Sequence, residues 1–89
     1  MVERSVQVIN RNGLHARPAA EIVKAAAKFR SDITIVRDDL EVNGKSIMGV
    51  LMLVASKGST VTLRAKGDKA QEAIDAIAAL IDDKFGEGK

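Results

Sequence analysis

The sequence predicts an α+β fold, an open-faced two-layer β-sandwich in which one four-stranded antiparallel sheet carries its helices on one face and meets water on the other. Three observations point to it. The elements run strand, helix, strand, strand, helix, strand, helix (βαββαβα). The alternating strands offer one apolar face each. A chain of 89 residues is enough for a single core and leaves no room for a second. Residues 1–89 are therefore expected to form one domain, with the function on the surface of that unit.

Each element has a local reason. In Val2-Glu3-Arg4-Ser5-Val6-Gln7-Val8-Ile9 the residues Val2, Val6 and Val8 share a parity, the mark of a half-buried strand, and Asn10 to Gly13 ends it. From Ala16 to Phe29, the apolar positions Ala19, Ile22, Val23, Ala26 and Phe29 recur at three- and four-residue steps and define one helical face. Pro18 lacks a backbone donor and disfavours helical geometry at Arg17, so this helix should begin around residues 15–18. Ile33 to Arg37 and Leu40 to Val42 flank an Asp38-Asp39 turn and predict a hairpin, with Asn43-Gly44 as the next turn.

Ile47 to Val54 is a short continuous apolar run, which periodicity alone assigns to neither strand nor helix. Ser46 favours helix, since a serine just before the run can cap its first N–H groups. Thr60 to Lys66 alternates cleanly, with Val61, Leu63 and Ala65 facing one way. Asp68 and Gln71 form a capping-box-like pair. Ala70, Ala73, Ile74, Ile77 and Ile81 then trace a helical stripe before Gly86.

Composition narrows the function. At 46% hydrophobic and 29% charged residues the balance is that of a globular domain rather than a disordered chain. No cysteine and one histidine exclude a disulfide framework, a thiolate metal site and a histidine-rich one, so no metal and no cofactor are expected. The first ten residues lack the layout of a signal peptide, and Ile47 to Ala55, broken only by Gly49, is too short to span a bilayer. A cytoplasmic monomer with no direct membrane insertion is expected. Residues 1–30 hold six basic residues against two acidic ones, whereas residues 68–89 hold three lysines against six acids. The basic first segment favours an anion or an acidic partner.

The segment NGLHARPAA, residues 12–20, lies in that basic stretch and holds the single histidine and the single proline. A helix starting here would leave the N–H groups of Ala16 and Arg17 without intrahelical partners, at the positive end of the helix dipole. That is the outline of an anion site. His15 would stand at its mouth, and Arg17 adds a planar cation suited to phosphate oxygens. The positive helix end disfavours imidazolium and keeps the ring nucleophilic, and a histidine nitrogen can hold a phosphoryl group covalently. Against this stands a plainer reading, a histidine that caps a helix beside a solvated arginine.

Rival chemistries lack their parts. There is no G-x-S-x-G elbow for a serine hydrolase and no glycine-rich phosphate loop for a nucleotide enzyme. Phe29 and Phe85 are the only aromatic residues, which argues against an RNA-binding module and against a nucleic-acid partner. A protein that passes a group between partners fits best.

NGLHARPAA together with VNGKSIMGVLML, residues 42–53, resembles the two signatures of the HPr family, the histidine-containing phosphocarriers of the bacterial phosphoenolpyruvate-dependent phosphotransferase system. The resemblance extends along essentially the whole chain. It implies strand order 1-4-2-3 and a carrier rather than an enzyme: His15 takes a phosphoryl group from enzyme I on Nδ1 and yields it to enzyme IIA domains. Arg17 and the N–H groups of Ala16 and Arg17 would support the phosphoryl group. It further implies regulatory phosphorylation of Ser46 by an HPr kinase/phosphorylase, contacts with transcriptional regulators, and a docking patch of Ile47, Met48 and Leu51, with Val50, Leu53 and Val54 in the core. A helix apolar all round cannot bury every side chain in so small a domain, which is why Ile47, Met48, Leu51 and Met52 should include exposed members. VLMLVASKGSTVTLRAKG, residues 50–67, has something of the nitrogen-related branch, while GKSIMG fits the Ser46-regulated branch. Both branches stand at this point, as does a non-catalytic interaction module using the same surface.

Overall fold

The structure, a computed structural model, describes residues 1–8, 16–53 and 58–82. Its elements are β1 (Val2–Gln7), α1 (Ala16–Ala26), β2 (Asp32–Arg37), β3 (Leu40–Asn43), α2 (Ile47–Met52), β4 (Thr60–Lys66) and α3 (Ala70–Asp82). The strands form one antiparallel sheet in the order β1-β4-β2-β3, as the family resemblance implies.

Register puts a buried apolar set from the four strands on one face. Val6 lies opposite Val61, Ile33 opposite Ala65, and Ile35 opposite both Leu63 and Val42. All seven are buried. The helices supply the other half of the core: Ala19, Ile22 and Ala26 from α1, Val50 from α2 with Leu53 just after it, and Ala73, Ile74, Ile77, Ala78 and Ile81 from α3. Each fully buried large aliphatic side chain contributes about 1.5–3 kcal/mol. A one-residue slip of any strand would turn its apolar set to water, which is what fixes the register.

The opposite face is polar. Arg64 reaches both outer strands, with Nε 2.6 Å from Glu3 Oε2 and Nη1 3.4 Å from Glu41 Oε1. The Nε–H is not aimed for a hydrogen bond despite that proximity, so the contact with Glu3 is one of charge. On a solvated face such pairs contribute about 0–1 kcal/mol each.

Local expectations are met with three differences. β1 ends at Gln7, yet Val8 continues the pairing, donating to Ser59 O at 2.8 Å and accepting from Gly58 N–H at 2.7 Å. Ile9, the turn at 10–13, Val54 and the tail around Gly86 lie outside the described residues. α1 stops at Ala26 rather than Phe29. The N–H of Lys28 bonds Ala25 O at 3.2 Å and that of Phe29 bonds Ala26 O at 3.1 Å, tighter three-residue closures that end the helix. Phe29 still packs against the core. The expected Asp68–Gln71 capping pair does not form: α3 begins at Ala70, Lys69 occupies the position before it with φ 57°, and Gln71 Nε2 donates to Asp75 Oδ1 at 2.8 Å. Asp68 is one residue too far upstream to cap.

Candidate functional site

Ala16 and Arg17 are the first two residues of α1 and both are exposed. As the opening residues of an eleven-residue helix their N–H groups have no acceptor four residues back within it, and the dipole adds partial positive charge at that end. Pro18 at the third position loses nothing by lacking an N–H, and its ring is fully buried. Pro18, Ala19 and Ile22 anchor the helix start in the core, which leaves Arg17 facing outward. Arg17 forms no ion pair with another described residue. No acidic residue lies in the first turn of α1. The local field at this end therefore suits an anion. His15, the residue joined to Ala16, lies outside the described residues.

Ser46 caps α2. Its backbone is extended, at φ −110° and ψ 117°, and its Oγ accepts from Gly49 N–H at 3.1 Å. The sequence expectation of a serine cap is thus met. The turn before it is tightly held: Lys45 N–H donates to Asn43 Oδ1 at 2.8 Å and Ser46 N–H to Asn43 O at 3.0 Å. Gly44 is needed for close approach, since a Cβ there would lie 2.7 Å from Ile33 Cγ2.

α2 divides its apolar residues as expected. Val50 and Leu53 are buried, while Ile47, Met48 and Met52 are 42%, 68% and 60% exposed. Leu51 is half-buried and packs against the core, so it contributes one edge to the outward surface. α2 packs directly on α1 and β3. The exposed apolar residues and the positive helix start thus belong to two elements in contact, one offering charge and the other apolar area.

Other surface features do not compete with this pair of helices. One depression, about 360 Å³, is open and polar, lies over β2 and β3 between Asp32, Glu41 and Lys45, and includes no residue of α1. Among the described residues no three histidine, aspartate or glutamate side chains converge on a point where a metal could bind. Sequence reasoning missed one ordered cation: Lys45 Nζ donates to Phe29 O at 2.7 Å across sixteen residues. Nothing in the local pattern signals a contact between segments so far apart.

Comparisons with known proteins agree along the full length. A family model described as the PTS HPr component phosphorylation site matches residues 2–83. The phosphocarrier protein HPr of Cupriavidus necator is 48% identical over 89 residues, covering all of both chains. The phosphocarrier protein NPr of Shewanella violacea is 44% identical over 86 residues, covering 97% of this chain and 94% of that one. Among solved structures, HPr from Thermoanaerobacter tengcongensis matches with a TM-score of 0.94 and 49% identity over 98% of each chain. Among the described residues no helix is long and apolar enough to cross a membrane.

Proposed function

The chain belongs to the HPr family of phosphocarriers, and from that premise we propose that His15 accepts a phosphoryl group from phosphorylated enzyme I and passes it to enzyme IIA domains. The observation that carries this reading is the start of α1 at Ala16 with Arg17 exposed and outward, directly after the chain's single histidine.

The chemistry follows from what such a helix start offers. The lone pair on His15 Nδ1 attacks phosphorus, the N–P bond of the donor breaks, and its electron pair returns to the donor ring. The second transfer repeats the step with His15 as donor. In a loose phosphoryl-transfer transition state the protein contributes mainly position and charge. Arg17 and the N–H groups of Ala16 and Arg17 supply charge that favours the phosphorylated form. This carrier has no turnover of its own, consistent with relatives named phosphocarrier proteins.

Ile47, Met48 and Leu51 are assigned to partner docking. Flexible methionine suits a surface that several proteins must share. Ser46 is assigned to regulation by an HPr kinase/phosphorylase, its phosphate opposing acidic partners without removing the cap position, and transcriptional regulators are a further class of partner. The proposed setting is the cytoplasm and the proposed working form a monomer of one domain. Sugar uptake is the favoured pathway on the GKSIMG segment, with nitrogen-linked signalling as the second reading because NPr shares 44% identity.

A chase experiment tests the relay. Protein labelled through phosphoenolpyruvate and enzyme I, then freed of both, should lose its label to an added enzyme IIA domain within the mixing time. Label that stays on this chain with every IIA domain of the host refutes the carrier role.

A further inference from the structure

The turn between β3 and α2 is tied to the hairpin by its own backbone. Gly44 N–H donates to Ile33 O at 2.8 Å, Ser46 N–H to Asn43 O at 3.0 Å, and Lys45 N–H to Asn43 Oδ1 at 2.8 Å. None of these bonds reaches α1. Among the described residues, the hydrogen bond that links the turn to the α1 end of the molecule is made by a side chain, the Lys45 ammonium on Phe29 O at 2.7 Å, in a partly buried setting.

The acceptor is well placed to act as an anchor. Phe29 lies just past the end of α1, its N–H is fixed on Ala26 O at 3.1 Å, and its ring packs against the core. A carbonyl past a helix end has no intrahelical donor, so a lysine ammonium brought to it supplies a charge-assisted hydrogen bond. Here that lysine comes from another element. Its own backbone is held by Asn43, and the residues that follow it are Ser46, the cap of α2, then Ile47 and Met48, which are exposed.

We propose that Lys45 is a positioning residue for partner docking: its ammonium clamps the entry of α2 to the exit of α1, so that Ile47, Met48 and Leu51 are presented in a fixed relation to the helix that follows His15. The inference rests on the assignment of those three residues to docking. Val50 and Leu53 already hold α2 to the core on its inner side, and the Lys45 bond fixes its N-terminal end. Without the bond, Phe29 O turns to water and the start of α2 keeps its ties to the hairpin but loses this one to the α1 end.

Three variants separate this role from direct contact between Lys45 and a partner. Lys45→Met keeps the aliphatic stem and removes the donor, Lys45→Arg restores a donor, and Met48→Asp tests the docking face itself. The readouts are the amide and methyl NMR signals of residues 29 and 47–52 in the free protein, and the KM and kcat of enzyme I for each variant. For Lys45→Met the signals of Phe29, Ile47, Met48 and Leu51 should move. Its KM should rise about fivefold, the effect of one net hydrogen bond, with kcat unchanged. Lys45→Arg should recover both. Unmoved signals at 47–51 overturn the proposal, and a raised KM without movement assigns Lys45 to direct partner contact instead. Moved signals with an unchanged KM also overturn it. An unchanged KM for Met48→Asp refutes the docking assignment separately, whatever Lys45 does.

Discussion

Ser46 shows what a single residue makes legible. A serine before an apolar run predicts a cap because the bond it makes, to the N–H of Gly49, is only three residues away in sequence. Ser46→Ala should lower stability by about 1 kcal/mol, the usual effect of losing such a cap, read as a shift in the urea midpoint; a variant as stable as the parent would show that the 3.1 Å contact contributes nothing. Gly44 was legible as a turn residue, but its need for close approach to Ile33 was not, because the partner lies on another strand. Gly44→Ala should cost about 1–3 kcal/mol through overpacking, and the same denaturation measurement checks it. Lys45 was silent for the same reason, since its acceptor at Phe29 comes from a different segment. His15 and Arg17 are a different case. Helix-start physics gave an anion site, and only the second motif around Ser46 turned that into phosphoryl chemistry.

At the scale of elements, alternation and helical spacing placed β1, β4, α1 and α3, the Asp38-Asp39 turn placed the β2–β3 hairpin, and the Ser46 cap decided α2. β4 matches the sequence reading residue for residue at Thr60–Lys66, because strict alternation leaves one register. Boundaries were less legible where periodicity runs past the helix. Phe29 keeps the spacing of α1 and is partly buried, yet α1 closes at Ala26, since an apolar residue can serve the core from a turn as well as from a helix. The start of α3 was misread because a left-handed Lys69 intervenes where an Asp68 cap was expected, a conformation that lysine does not announce. The stripe of α3 itself is sound: Ile74, Ile77 and Ile81 are fully buried. Ile77→Ala should therefore cost about 2–5 kcal/mol through lost transfer energy and a residual cavity. A loss below 1 kcal/mol in denaturant melts would mean that α3 repacks over the sheet.

For the whole molecule, one sheet face and three helices share a single core, so the domain should unfold as one cooperative unit. Far-UV circular dichroism and the isoleucine methyl signals should report the same urea midpoint, and separate midpoints would divide the domain into independent parts. The charge asymmetry read from the sequence also takes form at this scale. Arg4 of β1 lies 3.6 Å from Asp75 and 3.8 Å from Asp82 of α3, so part of the basic N-terminal segment is matched internally by the acidic C-terminal one. Arg17 has no such partner among the described residues, which leaves net positive charge where α1 begins. In the proposed relay this charge serves a phosphoryl group on His15. The most direct test of that role is incubation with phosphoenolpyruvate and purified enzyme I, with the label located by peptide mass spectrometry before and after mild acid. The expected result is one phosphoryl group on His15, removed by acid and absent from His15→Ala. A label that survives acid, sits on another residue or persists in His15→Ala would rule out phosphoryl carriage by His15.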